Sequence, residues 1–462
     1  MTNTALTKPT AADVLGPLLR RGLNADLPFR LRFWDGSATG PRESPLTLVV
    51  ARRRALRRLL WAPNEVGLAR AYVAGDLDVE GDLFATLDVV LNLIRPDDIV
   101  GERPGLRTVA ALVAAALRLR VIGLPPRPPV EEVRLRGRRH TQRRDADAIA
   151  YHYDVGDEFY RNVLGESMTY SCGYWDQPDF DLTEPTHLAA AQIAKCDLVA
   201  RKLGLAPGMR VLDVGCGWGT FALHAARTYG VQVVGVTLSV AQAKFARSRV
   251  AQAGVEHLVE IRVQDYREVS DGPFDAISSI GMAEHVGAAN LDRYAADLFA
   301  LLRPRGRLLN HAISLRPDDV QPGPESSSFI ERYVFPDGEL VPIARMVATL
   351  ENAGFEVRDT ESLREHYALT LRAWCANLER NWDAAVAAST LVRARVWRLY
   401  MTASAMSFES NDIGINQVLA VRPGPRGDSG MPPTRARLLD PSTTAAASGS
   451  PSTDPVISFQ NH

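Results

Sequence analysis

The chain has 462 residues, of which 46% are hydrophobic, and its formal net charge at pH 7 is −1. It is too long for one typical α/β domain, and its composition suffices for ordinary globular cores, so two domains and a tail are expected. The cysteines are scattered, without a Cys-x-x-Cys pair, which indicates neither a zinc site nor a disulfide framework. They are Cys172, Cys196, Cys216 and Cys375. Free thiols fit a reducing cytoplasm.

Residues 1–130 carry no cofactor motif and predict a small α+β domain. The alternation and turn residues predict helices and a strand pair, with Asp35-Gly36 as a turn signal. The predicted helices are 11–21, 51–60, 66–74 and 83–93, and the predicted strands are 29–34 and 46–50.

An apolar stretch, Ala110–Leu124, follows this domain. It is interrupted by Arg118 and Arg120 and is shorter than the roughly 20 apolar residues that cross a bilayer, so an interfacial helix is an alternative. Pro125–Pro129 predicts a stiff linker, and residues 131–150 a basic one. The N-terminus lacks the basic and apolar regions of a signal peptide. We therefore expect a cytoplasmic protein.

Charge is distributed unevenly along the chain. Residues 1–145 have a net charge of +8 and the remainder −9. The arginine clusters are Arg52–Arg54, Arg57, Arg58, Arg134, Arg136, Arg138, Arg139, Arg143 and Arg144. They suit contact with anionic lipid at the inner face of a membrane, while a solvated charged face is the simpler interpretation. Nucleic acid is not expected as a partner, because no binding module is recognisable.

The stretch Arg210–Gly219 is the most informative part of the chain. An apolar run predicts a buried strand, and it breaks into a Gly-x-Gly-x-Gly turn before a helix predicted over 220–227. Such a turn lets a ligand approach the backbone closely. A dinucleotide fingerprint has a different spacing, and no Walker lysine follows. Asp213, Gly215 and Gly217 are therefore predicted to bind a nucleotide-type cofactor at a strand end.

Three further strands are predicted at short spacing, over 231–239, 259–266 and 274–280. Strands alternating with helices predict a doubly wound parallel sheet, whose carboxyl edge binds ligands. Residues suited to the cofactor follow the strands, and they are Thr237, Leu238, Gln242, Gln264, Asp265, Tyr266 and Ile280. Hydroxyls and an amide replace the usual acidic residue after the second strand.

Several longer motifs occur in one order between residues 150 and 420. They are His152–Tyr160, Met168–Trp175, Val211–Gly219, Gly235–Ser239, Ile280–Gly287, Tyr333–Gly338 and His366–Leu371. In these motifs the chain resembles the cyclopropane fatty acid synthase family of S-adenosylmethionine-dependent lipid methyltransferases. The resemblance implies a class I methyltransferase domain over 151–422 and cofactor contacts by Tyr170 and Ser171. Gly67–Asp82 resembles the family's N-terminal domain, which implies lipid handling or homodimer contacts.

Methyl transfer to a cis alkene leaves a carbocation, and a base must then remove a proton. The resemblance implies a bound bicarbonate as that base. Its implied holders lie in matching stretches, and they are Cys172, Glu284, His311, Ile313 through its backbone, and Tyr367. Glu284 would orient this set, because two bare anions side by side repel.

The expected substrate is an unsaturated acyl chain, within phospholipid at a membrane surface. Two products remain open: a cyclopropane, or a methylene or methyl branch that a separate reductase completes. Ser404–Leu419 and Leu309–His311 depart from the usual cyclopropane synthase pattern and favour the branch. A small-molecule methyltransferase on the same fold is a third interpretation. Residues 423–462 are rich in Pro, Ser, Thr, Gly and Ala, which predicts a disordered tail.

Overall fold

A computed structural model describes residues 8–23, 26–94, 106–133, 139–153, 155–177, 179–316, 328–435 and 438. The chain forms two compact units. Unit 1 comprises Met1–Val133, Pro324–Val334 and Leu391–Ala403, and unit 2 comprises the remaining segments. This division differs from the continuous domains predicted from the sequence, because two later segments belong to unit 1.

The sheet of unit 1 has four strands in the order β2-β1-β3-β4. They are β1 (Arg30–Phe33), β2 (Ala38–Thr39), β3 (Thr47–Val50) and β4 (Leu77–Glu80). β1 pairs parallel with β3, and its Leu31 and Phe33 are buried while Arg30 and Arg32 are partly exposed. This alternation of buried and exposed side chains is the period-2 pattern of a half-buried strand. The two predicted strands are confirmed, but they pair in parallel, and the Asp35-Gly36 turn joins β1 to β2 instead. The short β2 and β4 were missed.

Among the described residues of 1–133, five helices accompany this sheet. They are α1 (Ala11–Leu23), α2 (Arg53–Trp61), α3 (Glu65–Val73), α4 (Leu83–Ile94) and α5 (Leu106–Arg118). Asp76 is fully buried and accepts hydrogen bonds from Arg54 Nε at 2.8 Å and Arg58 Nε at 2.9 Å. These bonds tie α2 to the turn before β4. The buried Asp76 carboxylate therefore takes up part of the positive charge of this arginine cluster, and only Arg58 among its partners is itself buried.

The two later segments of unit 1 are held by specific polar contacts. Arg395 donates to the carbonyl oxygens of Tyr72 and Leu77, both at 2.8 Å. Tyr333 Oη donates to Glu132 at 2.9 Å, and Arg332 lies 3.0 Å from the same carboxylate. A buried carboxylate or guanidinium needs such partners, so these contacts fix both segments within the unit.

Unit 2 contains an eight-stranded sheet in the order β11-β12-β9-β8-β5-β6-β7, with β10 beside β9. The strands are β5 (Arg210–Val214), β6 (Gln232–Thr237), β7 (Val259–Val263), β8 (Phe274–Ile280), β9 (Leu302–Leu315), β10 (Val341–Pro342), β11 (Glu356–Ser362) and β12 (Ile413–Val421). β5 to β9 pair parallel in their part of the sheet, whereas β12 is antiparallel to both β9 and β11. The predicted doubly wound sheet is confirmed.

Helices of unit 2 follow and precede these strands. They are α6 (Gln142–Tyr153), α7 (Asp157–Leu164), α8 (Pro185–Leu203), α9 (Thr220–Tyr229), α10 (Val240–Gln252), α11 (Ala283–Val286), α12 (Leu291–Leu301), α14 (Ile343–Asn352), α15 (Arg364–Arg380) and α16 (Trp382–Ala388). The short α13 (Phe329–Tyr333) belongs to unit 1, and α17 (Leu391–Glu409) has residues in both units. Separate apolar clusters form on the two faces of the sheet, and β5 contributes Val211 to one and Leu212 to the other. Burial on both faces explains the continuous apolar run of β5.

Two predicted segments are more ordered than their composition suggested. The basic linker contains α6, and its Arg144 and Arg139 both lie against Asp337, so these arginines are ion-paired and not a solvated face. In the predicted tail, Asp428 pairs with Arg305. Residues 439–462, and Arg134, Arg136 and Arg138 of the basic linker, lie outside the described residues. Among the described residues, no helix has the length and apolar character to cross a bilayer.

Candidate active site

The turn after β5 is closed by backbone hydrogen bonds to the neighbouring strand. The N–H groups of Gly215 and Cys216 both donate to Val236 O at 3.0 Å. Gly215 and Gly217 have φ angles of +76° and +53°, which favour glycine over residues with a Cβ. A Cβ at Gly217 would meet only Gln242 Nε2, at 4.0 Å. The backbone here is therefore open to a ligand.

A large cavity lies at this carboxyl edge of the sheet, with an empty volume of about 1180 Å³ counted to its open mouth. All twelve residues that the sequence predicted for the cofactor line it: Tyr170, Ser171, Asp213, Gly215, Gly217, Thr237, Leu238, Gln242, Gln264, Asp265, Tyr266 and Ile280. Their role remains a prediction. A cavity of this size has room for a nucleoside-sized ligand.

The polar groups after β6 form a local network. Thr237 Oγ1 donates to Gln242 Oε1 at 3.0 Å, and the Ser239 side chain accepts from the Gln242 N–H at 3.2 Å. Ser239 thereby caps the N-terminus of α10. The Thr237 bond fixes the amide of Gln242, which leaves its Nε2 directed to the glycine turn.

The carboxylate after β7 is held by an arginine that the sequence analysis missed. Arg267 donates to both oxygens of Asp265, from Nε at 2.9 Å and from Nη2 at 2.6 Å. Its Nη2 also contacts Asp145 of α6 at 3.0 Å. Burial raises the pKa of Asp145, while Arg267 opposes that shift. Asp265 therefore has a fixed orientation at the cavity wall. The sequence indicated only that Asp265 follows a strand, and it did not indicate its partner Arg267.

Asp213 is the buried acid at the end of β5. Burial raises its pKa to about 6, although Ser278 Oγ donates to its Oδ1 at 2.5 Å. Its Oδ2 is buried and has no hydrogen-bond partner among the described residues. Asp213 therefore lines the cavity with one carboxylate oxygen, Oδ2, that accepts no hydrogen bond from the described residues.

A buried lysine in α8 also lines the cavity, and the sequence analysis did not single it out. Lys195 is 2% exposed, and its Nζ donates to Ser171 Oγ at 3.1 Å. No carboxylate of the described residues lies within ion-pair distance of it, whereas the equally buried Lys202 of the same helix pairs with Glu361 and Asp359. In the sequence, the feature that could have identified Lys195 is that two lysines lie seven residues apart on an otherwise apolar face of one helix.

Two of the five residues predicted to bind the anion are in direct contact. Glu284 Oε1 accepts the Ile313 N–H at 2.8 Å, so this backbone donor is used within the protein. The contact of the Ile313 backbone with the anion stays a prediction. Burial raises the pKa of Glu284 to about 7, against the opposing effect of the Ile313 bond. Its Oε2 is buried without a partner in the part of the chain that the structure describes. Glu284 can thus hold or release a proton near neutral pH.

The other three residues lie on adjoining elements. His311 shares a face of β9 with Ile313, two residues away, and burial lowers the pKa of its imidazole to about 3. Neither of its ring nitrogens has a hydrogen-bond partner in the described residues. Cys172 Sγ lies 3.7 Å from Leu363 O, the carbonyl that accepts the Tyr367 N–H. Burial raises the pKa of the Cys172 thiol well above its usual value, which makes it a poor nucleophile.

The glycine turn and the cavity at the carboxyl edge of a parallel sheet define this fold as that of a class I S-adenosylmethionine-dependent methyltransferase, and the chain is an enzyme. Residues 140–418 match the family model described as mycolic acid cyclopropane synthetase. The chain belongs to that family.

Two relatives of this chain are matched over nearly their whole length. The chain is 42% identical to a probable fatty acid methyltransferase of Mycobacterium tuberculosis, over 88% of this chain and 93% of that protein. It is 34% identical to the tuberculostearic acid methyltransferase of the same organism, over 90% and 92%. The crystal structure of the mycolic acid cyclopropane synthase CmaA1 complexed with SAH and CTAB matches with a TM-score of 0.55 and 34% identity, over 60% of this chain and 98% of that one.

Replacing Gly217 by Val should abolish S-adenosylmethionine binding, because the side chain would project into the cavity from an open turn. The positive φ adds backbone strain, so a matched control is needed. Gly254→Val provides it: Gly254 has a φ of +66°, no atom within 4 Å of the position that a Cβ would take, and no place in the cavity lining. Calorimetry should show lost binding for Gly217→Val and normal binding for Gly254→Val. Equal affinity in both folded variants would contradict this placement.

The two buried lysines should respond oppositely to substitution by Met. Lys195→Met breaks no ion pair but removes a positive charge that lowers the pKa of the buried Asp213, so we expect little change in the melting temperature together with weaker S-adenosylmethionine binding. Lys202→Met removes the lysine partner of Glu361 and one of two partners of Asp359, which keeps Arg435. Breaking a buried pair typically costs about 3–5 kcal/mol, and cofactor affinity should be retained in the folded fraction. Thermal unfolding and calorimetry on both variants measure the two effects. Unaltered cofactor affinity in Lys195→Met would remove Lys195 from the binding site.

Proposed function

We propose that this enzyme transfers a methyl(ene) group from S-adenosylmethionine to the cis double bond of an unsaturated fatty acyl chain, within phospholipid. The observation that carries the proposal is that one cavity is lined by every residue predicted for the cofactor. The near-full-length relatives named as fatty acid and tuberculostearic acid methyltransferases support an acyl substrate.

The cavity residues fit S-adenosylmethionine, which supplies an electrophilic methyl group when bound. Lys195 is a buried cation without an ion-pair partner in the described residues, and an amino-acid carboxylate is a suitable counter-charge. Ser171 accepts from Lys195 and is thereby oriented at the cavity wall. Asp213 keeps an unused acceptor oxygen for a donor group of the ligand. Opposite charges within one cavity suit a zwitterionic ligand.

The polar groups around Glu284 fit bicarbonate, which would supply a proton acceptor that is itself a weak nucleophile. Three buried atoms have no partner among the described residues: Glu284 Oε2, His311 Nδ1 and His311 Nε2. His311 is neutral at neutral pH, since its pKa is about 3, so it can donate one N–H without carrying charge. A protonated Glu284 can donate its O–H to an anion, which avoids repulsion between two negative groups.

Among the products, a methylene or methyl branch is favoured over a cyclopropane. The relative named for tuberculostearic acid spans both units of this chain, whereas the cyclopropane synthase CmaA1 covers only 60% of it. Asn310, one of the departures from the cyclopropane pattern, is buried and accepts a hydrogen bond from Tyr294 Oη at 2.9 Å. A branch would require a separate reductase, and a cyclopropane remains the alternative product.

The substrate class implies work at a membrane surface, with the enzyme peripheral at its cytoplasmic face. A phospholipid acyl chain lies within the bilayer, so the enzyme must approach the lipid or extract the chain. The +8 charge of residues 1–145 supports attraction to anionic lipid. Homodimer formation is a further expectation from the family resemblance.

Replacing Glu284 by Gln should cut turnover by about 10²–10³, because the amide can neither release nor take up a proton as the carboxyl group can, while S-adenosylmethionine affinity is retained. The amide oxygen of Gln can still accept the Ile313 N–H. Removal of dissolved carbon dioxide should also slow the native enzyme. Undiminished turnover in both experiments would refute the bicarbonate assignment, and calorimetry of the cofactor controls for folding.

The same variant tests the raised pKa without any substrate. The folded protein holds the Glu284 proton up to about pH 7, whereas the unfolded chain releases it near pH 4.5. Raising the pH through this window therefore favours unfolding of the native protein relative to Glu284→Gln. We expect the melting temperature of the variant minus that of the native protein to increase from pH 4.5 to 7. A difference that is constant with pH would show that Glu284 titrates normally.

The product itself is best identified in cells that express this chain alone and contain unsaturated phospholipid. A cyclopropane and an exocyclic methylene have the same mass, so mass spectrometry must be combined with mild catalytic reduction. The methylene product gains two hydrogens under conditions that leave a cyclopropane intact. We expect a reducible product. A product that resists reduction would identify a cyclopropane synthase, and unaltered lipids would contradict the proposed substrate.

A further inference from the structure

Two segments of unit 1 are rich in arginine and contain no acidic residue. Residues 51–64, which include α2, hold five arginines, and residues 106–130, which include α5, hold four; neither contains Asp or Glu. Arg54 and Arg58 satisfy the buried Asp76, while Arg53, Arg118 and Arg120 are exposed. The exposed charge that these segments present is therefore entirely positive.

Hydrogen bonds bring the two segments together. Trp61 Nε1 at the end of α2 donates to Gly123 O at 2.9 Å, and Arg57 Nε donates to Val121 O at 3.0 Å. The contact brings the indole to the backbone of Gly123, which Ile122 and Leu124 flank in the sequence. The geometry depends on backbone carbonyls, so it does not require any particular side chain at 122 or 124.

The apolar side chains at this junction face solvent. Leu60, Trp61, Ile122 and Leu124 are 55%, 58%, 54% and 85% exposed, and we refer to these four as the Trp61–Leu124 surface. On α5, Val113 and Leu117 lie one turn apart and are also exposed. Exposed large apolar residues that cluster in this way mark an interaction site more often than scattered ones do.

We infer that the Trp61–Leu124 surface docks unit 1 onto an anionic lipid bilayer, an inference that rests on the proposed acyl-lipid substrate. Trp and Leu insert into the interfacial region, and the surrounding arginines bind lipid phosphates. A second copy of this chain fits less well. A two-fold contact places the same surface on both partners, so arginines would face arginines with no carboxylate from either segment between them.

The test is sedimentation with vesicles of equal parts phosphatidylcholine and phosphatidylglycerol, using the full-length protein. Ile122→Glu/Leu124→Glu should weaken binding about tenfold or more, because two inserted side chains become charged. Arg118→Gln/Arg120→Gln should weaken it about fivefold for each arginine and reduce its salt dependence. Leu391→Glu is the matched control, since Leu391 is 51% exposed in unit 1 but lies outside both segments. The control should bind as the native protein does.

Activity on two forms of substrate separates this inference from the proposed function. The Ile122→Glu/Leu124→Glu variant should lose turnover on vesicles but keep it on phospholipid dispersed in detergent, with normal S-adenosylmethionine affinity. Equal vesicle binding by the native protein and both double variants would overturn the docking surface. The docking surface would also be overturned if the native protein were a dimer that Ile122→Glu/Leu124→Glu dissociates without altering vesicle binding. Absence of turnover on either substrate form by a native protein that does bind vesicles would instead contradict the proposed reaction and leave the docking result standing.

Discussion

Burial of charged groups at the carboxyl edge of the parallel sheet is the constraint on which the site depends. Asp213 and Lys195 are buried there, as is the Oε2 atom of Glu284, and each group loses hydration that the protein replaces only in part. The fold tolerates this cost because β5 and β8 are fixed by neighbours on both sides. The incompletely satisfied groups are then positioned before any ligand arrives, which is how electrostatic preorganisation arises.

Much of the cofactor site could be predicted from the sequence because its signals are local. A continuous apolar run, a glycine turn and a following helix mark β5 and α9 without knowledge of the rest of the chain. The polar residues after β6 and β7 were located by one rule, that parallel strands end at the same edge. All of them line the cavity. The rule specifies position and not bonding, so it did not reveal that Arg267 holds Asp265.

Contacts between distant segments could not be predicted in this way. Lys195 lies on a helix whose apolar pattern hides it, and its meeting with Ser171 depends on tertiary packing. The use of the Ile313 N–H by Glu284 likewise depends on how α11 lies against β9. Composition also gave wrong expectations for two segments of unit 2. The basic residues near Gln142 lie in a helix, where Arg144 pairs with Asp337. The chain after Pro423 is held by an ion pair between Asp428 and Arg305.

The discontinuous make-up of unit 1 has a consequence for how this chain relates to shorter family members. A structure such as that of CmaA1 corresponds to 60% of this chain over 98% of its own length. Deleting residues 1–133 would not convert this chain into such a protein, since Tyr333 and Arg395 would lose Glu132, Tyr72 and Leu77, the groups that satisfy them. A shorter family member therefore needs other residues, or other partners, at the positions of Tyr333 in α13 and Arg395 in α17, both far along the chain from residues 1–133.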